Sequence, residues 1–215
     1  MRKYAVLTMD VVGSRGFESA RLLSVLHRCI DDVNDKFSRD VAVRFSIVLG
    51  DTIQGVCSRV RRAYDIFQWF EELLWLEGKS ILRKPVYVRC GMGIGGIVDI
   101  SRPAGEQTGE AFSFASEALD KIKGCKDSSC VSIVASNREL SEFISAAFGI
   151  AQALKNGWSK RMREVVLLAR EAKSQTQVAN KLGLTRGDVK KILVRAGYKR
   201  LREFERQVAR ILPLI

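Results

Sequence analysis

Two aspartates stand where strand-like runs give way to glycine. Asp10 closes the run Tyr4–Val12 and is followed by Gly13-Ser14-Arg15-Gly16, while Asp51 follows Gly50 between the runs Val41–Leu49 and Thr52–Cys57. Carboxylates held side by side on neighbouring strands are the minimal holder for a divalent metal, Mg²⁺ or Mn²⁺, that bridges triphosphate oxygens. Gly13 and Gly50 would let phosphates approach the backbone, and Ser14 and Arg15 could meet one. The competing reading makes both acids turn residues that cap a helix or satisfy backbone amides.

A second chemistry lies in Thr176–Arg195, TQVANKLGLTRGDVKKILVR. Val178, Ala179 and Leu182 give a short helix an apolar face, Gly183 tolerates the positive φ of a tight turn, and Leu184 plugs the corner. Thr185 caps a second helix whose Val189, Ile192 and Leu193 face inward, leaving Arg186, Lys190, Lys191 and Arg195 outside. This is the pattern of a helix-turn-helix that places its second helix in the DNA major groove. Arg186 is the candidate for a base contact, and Lys181, Lys199 and Arg200 are candidates for phosphate contacts. A generic basic hairpin that packs on a partner is the alternative.

The elements that must position these groups read in order. A helix spans about Glu18–Phe37 (Leu22, Leu26, Ile30, Val33 and Phe37 on one face), then comes the hairpin around Gly50-Asp51, then a helix over about Arg59–Glu77. Val86–Ile94 alternates as a strand, with Ile97–Ile100 as a short return strand after Gly95-Gly96. A helix at Glu110–Lys123, a strand at Val131–Ala135 and a helix at Arg138–Lys155 follow. This order is α+β, a ferredoxin-like α/β sandwich over residues 1–155. Asn156-Gly157 marks the boundary to an all-helical unit over 156–215 without a wing, whose last helix carries Leu201, Phe204, Val208 and Ile211 as core or as a dimer seam.

Charge is divided the same way. The net charge is +12, and residues 156–215 carry 15 Lys and Arg against 5 Asp and Glu, so most of the excess sits beside the basic helix. That asymmetry points to a polyanion partner, double-stranded DNA, for the C-terminal part. Five cysteines without regular spacing make no disulfide framework, and Cys125 and Cys130 lack a second ligand pair for zinc, so reduced thiols in a cytoplasmic protein are expected. No targeting segment or membrane span is visible. Gly91, Gly93 and Gly96 spell GxGxxG, but no helix follows at once, so close strand packing is expected of them instead.

MDVVGSR, VLGDTIQGV, VRCGMGIGGIV and GEAFSFASEA together resemble the four ordered signature blocks of class III nucleotidyl cyclase domains. With the appended helix-turn-helix, the whole chain resembles the SatD family of cytosolic prokaryotic proteins more closely still. The resemblance implies a ferredoxin-like fold with metal aspartates at Asp10 and Asp51 and an acid, Glu106, near the base-selecting position, which joins Gly13, Ser14 and Gly50 as the nucleotide-site candidates; specific binding of DNA half-sites by the helix-turn-helix calls for a homodimer. It also implies lost cyclisation: the transition-state Asn and Arg of cyclases fall at Ser113 and Glu117, and their purine-selecting Lys falls near Ile47. An acid in place of an Arg opposes the developing phosphoryl charge. The expected function is therefore a sequence-specific regulator of transcription whose first unit senses a nucleotide or dimerises, with a metal-dependent nucleotidyl cyclase or transferase as the alternative.

Overall fold

The computed structural model describes residues 2–101 and 108–215. Strands β1 (Tyr4–Val11), β2 (Val41–Leu49), β3 (Thr52–Cys57), β4 (Val88–Gly95) and β5 (Cys130–Val134) form one sheet in the order β2-β3-β1-β4-β5. β1 runs antiparallel to both β3 and β4, β2 and β3 form a hairpin, and β5 adds parallel to β4. The first four strands thus have the order a βαββαβ sandwich requires. Alternation along β1 decides which side chain meets which layer: Ala5, Leu7, Met9 and Val11 enter the main core, and Val6 enters a smaller cluster on the other face.

Helices α1 (Ser19–Lys36), α2 (Ala63–Ile81) and α4 (Arg138–Asn156) build the main core, with Leu26, Phe67, Phe70 and Phe148 fully enclosed. Helix α3 (Glu110–Lys121) lies on the opposite face, where Ala111 and Ala115 pack with Val6 and Val56. Gly91 and Gly93 permit that approach. A Cβ on Gly91 would meet the Ala115 carbonyl oxygen at 2.1 Å, and one on Gly93 would meet that of Ala111 at 2.0 Å. The glycine triplet thus includes two positions where a strand meets a helix backbone.

The C-terminal helices are α5 (Lys160–Ala169), α6 (Gln175–Leu182), α7 (Arg186–Arg195) and α8 (Tyr198–Ile211). Trp158, Val165, Val178, Ala179, Val189, Leu193 and Leu201 form their shared core, while Leu167, Val208 and Leu212 reach into the core of the sheet unit. Only residues 157–159 separate α4 from α5. Beneath this junction lies a buried set of three cations and three carboxylates. Lys155 pairs with Glu71 and Glu72, Arg163 with Glu71 at 3.2 Å, and Arg170 with Glu72 at 2.9 Å and Glu205 at 2.7 Å. Each charge is compensated across elements, so the network ties α2 to α4, α5 and α8.

Two expectations are corrected here, and one left open is decided. Ile97–Ile100 forms no strand, because both edges of β4 are already taken by β1 and β5; Ile97 and Ile100 pack instead beside the α3 cluster. Cys125 and Cys130 form a disulfide, since the turn between α3 and β5 brings their Cα atoms within 6.5 Å, while Cys29, Cys57 and Cys90 are free and buried. The apolar stripe of α8 is largely spent inside the chain: Leu201 and Val208 are buried, and Phe204 packs edge-on against Tyr64 and Phe148. Among the described residues no helix is long and apolar enough to cross a membrane.

Candidate functional site

β1, the central strand, carries Asp10 near its C-terminal end, and the β2–β3 turn delivers Asp51 beside it. Leu49 pairs with Thr52, so Gly50 and Asp51 alone make the turn, with Gly50 at φ 58°. Gly13, at φ 64°, starts a short 3-10 turn (Ser14–Gly16) immediately after β1. No neighbour crowds either glycine, so backbone conformation, not space, demands glycine at both positions.

The structure brings Asp10 and Asp51 together. Burial first, and then the Asp51 charge, hold the Asp10 carboxyl above its usual pKa against the opposing pull of Arg89 and Lys123. Asp51 Oδ2 is buried without a hydrogen-bond partner. A carboxylate oxygen orphaned beside a second carboxylate is a donor set that suits one hard divalent cation. Among the described residues no cluster of three or more His, Cys, Asp or Glu accompanies the pair. Glu106 lies outside the described residues.

Arg89 was not anticipated. It sits opposite Asp10 in the β1–β4 register, its Nη2 pairs with Asp10 Oδ2 at 3.0 Å, and its Nη1 donates to the Lys123 carbonyl at 2.7 Å. Strand alternation placed it on the face of Gly91 and Gly93, and that was the available signal. Its guanidinium occupies one oxygen of Asp10 and puts positive charge beside the carboxylate pair. The positions matched to the cyclase transition-state residues lie on α3: Ser113 is exposed, and Glu117 is held by Arg138 at 2.7 Å and Lys121 at 3.2 Å. Those hydrogen bonds keep the Glu117 carboxyl ionised and below its usual pKa. Ile47 packs against the core.

The basic segment forms a second candidate surface. Gly183 ends α6 at φ 63° and the Leu184 amide donates back to the Ala179 carbonyl at 2.9 Å, which turns the chain within three residues. Thr185 caps α7, accepting from the Asp188 amide, while Asp188 accepts from the Thr185 amide in return. That exchange lowers the Asp188 pKa through its bonds to Thr185. Val189 and Leu193 face inward, and Arg186, Lys190, Lys191, Val194 and Arg195 are exposed. Lys181 and Lys199 are exposed as well, and none of these six cations makes an ion pair among the described residues; Arg200 pairs with Glu203 at 2.9 Å. Lys173, exposed just before α6, belongs with this set and was not anticipated.

The chain matches the model of the SatD family over residues 4–212. It belongs to the SatD family. No curated protein matches this SatD-family chain. Among solved structures it is similar to the monomeric guanylyl cyclase domain of the RhoGC fusion protein from the aquatic fungus Blastocladiella emersonii, at 17% identity and a TM-score of 0.44 over 55% of this chain and 75% of that one. It is also similar to the guanylate cyclase domain of RhGC from Catenaria anguillulae in complex with GTP, at 16% identity and a TM-score of 0.42 over 55% and 72%. The adenylyl cyclase CyaB from P. aeruginosa gives 15% identity and a TM-score of 0.42 over 55% and 71%. At such scores the likeness decides no chemistry for the SatD-family chain.

Proposed function

We propose that this chain is a cytoplasmic, sequence-specific DNA-binding regulator of transcription. In this reading residues 156–215 are the DNA-binding unit, with α6 and α7 as a helix-turn-helix, and residues 1–155 are a nucleotide-responsive sensor or dimerisation unit without cyclase catalysis. The observation that carries it is the set of exposed, unpaired cations on and around α7, held on a helix that is capped and buried along its opposite face. Arg186 reaches a base edge from the start of α7, Val194 offers an apolar contact to a thymine methyl, and Lys190, Lys191 and Arg195 flank it. Thr185, Lys181, Lys199 and Arg200 meet phosphates. A homodimer reads two half-sites spaced by about 34 Å, one turn of duplex.

Duplex binding followed by fluorescence anisotropy across a salt series tests this. Replacing Lys181, Lys199 and Arg200 together by Ala lowers the log–log salt slope by about 2.7 per protomer, about 5.4 for the dimer, at one phosphate for each side chain. Arg186→Ala relaxes sequence preference instead. A wild-type affinity indifferent to salt would sink the reading.

For the sheet unit, Asp10 and Asp51 would hold Mg²⁺ or Mn²⁺ against the phosphates of a nucleotide, with Arg89 adding positive charge and Gly13, Ser14 and Gly50 lining the approach. The expected result is a rise in melting temperature with a nucleoside triphosphate and Mn²⁺, absent in Asp51→Asn. The second reading, a metal-dependent nucleotidyl cyclase or transferase, draws on the orphaned Asp51 Oδ2 beside Asp10. It requires a new product by chromatography after incubation with each triphosphate and metal, lost in Asp51→Asn. Ser113 and Glu117 weigh against it.

A further inference from the structure

A cavity of about 590 Å³ opens between the end of α5, the starts of α6 and α8, and one flank of α7. Its walls are apolar, made by Ala169, Ala172, Val178, Leu193, Val194 and the body of Tyr198. Four cations stand among the same lining: Lys173, Lys190, Lys199 and Arg200. Among the described residues the three lysines have no ion pair, and Arg200 has only an exposed contact with Glu203 three residues away.

Helix α8 adds an independent indication. Gly197 begins it without a side chain to satisfy the free amides, no acid stands in its first turn, and Lys199 and Arg200 stand there. The helix dipole favours an anion at that end and disfavours two cations. An anionic group in the cavity would relieve both. Inorganic phosphate alone would leave the apolar walls wet, whereas the volume is that of a site for a drug-sized organic molecule.

We propose that this cavity binds a small amphipathic organic anion, an acidic head set among Lys173, Lys190, Lys199 and Arg200 with an apolar body against Val178, Leu193 and Val194. Ligand binding stands independently of the DNA reading. One consequence rests on that reading: Lys190 and Val194 belong both to the cavity and to the exposed face of α7, so an occupant competes with duplex.

The test uses the full chain, isothermal titration, and three probes: decanoate, 1-decanol and inorganic phosphate. Decanoate binds once per chain and at least tenfold more tightly than either of the others. Lys199→Ala with Arg200→Ala weakens decanoate at least tenfold and leaves 1-decanol unchanged, while Ala172→Trp, which fills the cavity, weakens both. Decanoate also releases a labelled duplex from the wild type. No heat with decanoate at millimolar concentration, phosphate binding as tightly as decanoate, or binding indifferent to all these substitutions overturns the proposal. If duplex never binds but decanoate does, the DNA reading fails and the cavity stands; duplex binding without decanoate binding has the opposite meaning.

Discussion

Arg170→Met tests how the C-terminal helices are joined to the sheet unit. The Arg170 guanidinium donates Nε to Glu72 Oε2 at 3.0 Å and Nη2 to Glu72 Oε1 at 2.9 Å, and it reaches Glu205 at 3.0 and 2.7 Å. Both carboxylates are buried, with side chains 0% and 1% exposed. Removing one partner from a buried ion pair costs about 3–5 kcal/mol, because the other charge stays desolvated. Here Glu72 retains Lys155 at 3.2 Å, and Glu205 retains Arg202. The cost therefore falls at the lower end, about 3 kcal/mol. With a urea slope of about 2 kcal/mol/M, the midpoint drops by about 1.5 M. Urea unfolding followed by both far-UV circular dichroism and tryptophan fluorescence reads this, and Arg170→Lys, which keeps charge but loses the fork, falls between. A midpoint within about 0.3 M of wild type, an effect of roughly 0.6 kcal/mol at that slope, would show that the network does not hold the elements together.

Acid should act on the same network. Burial pushes Glu72 up, but Arg170 and Lys155 outweigh it and hold the carboxyl at about 2 against an ordinary 4.5. A depressed carboxylate stabilises the fold fully above its unfolded pKa and loses that contribution as pH falls through its folded pKa. About 3 kcal/mol is therefore lost between roughly pH 5 and pH 2, and Glu72→Gln should flatten urea stability measured across that window. Gly91→Ala should destabilise the chain by about 1–3 kcal/mol or more, because its Cβ meets α3 backbone that must shift; an unchanged melting temperature would refute the close approach. Thiol titration in denaturant should find three thiols before reduction and five after, given the Cys125–Cys130 bond; five at the outset would contradict it.

The elements carrying one clear period were legible. Alternation in Tyr4–Val12 and helical spacing through Leu22, Leu26 and Val33 reflect a side chain's choice between core and solvent, and the sheet enforces that choice. Ile97–Ile100 shows where this stops: a β-branched run needs a free edge to pair with, and edge occupancy is a property of the whole sheet. The ionic junction was hidden by residue type, since Lys155, Arg163 and Arg170 read as surface groups until their partners are seen. Glu71 and Glu72 lie among Phe67, Phe70 and Leu74, so acids within an apolar stripe were a signal that could have been followed. The placement of Asp10 beside Asp51 was legible because strand end and turn tip are local features. Arg89 required the β1–β4 register, which only the folded sheet supplies.

The most direct measurement is selection by the purified full-length chain from a random-sequence duplex pool, repeated across a salt series. DNA-binding by α7 and its neighbouring cations predicts an enriched motif, a palindrome with half-sites about one turn apart, and affinity that falls steeply as salt rises. Binding without enrichment, or no binding at low salt, would contradict a sequence-specific regulator and turn attention to the nucleotide chemistry of Asp10 and Asp51.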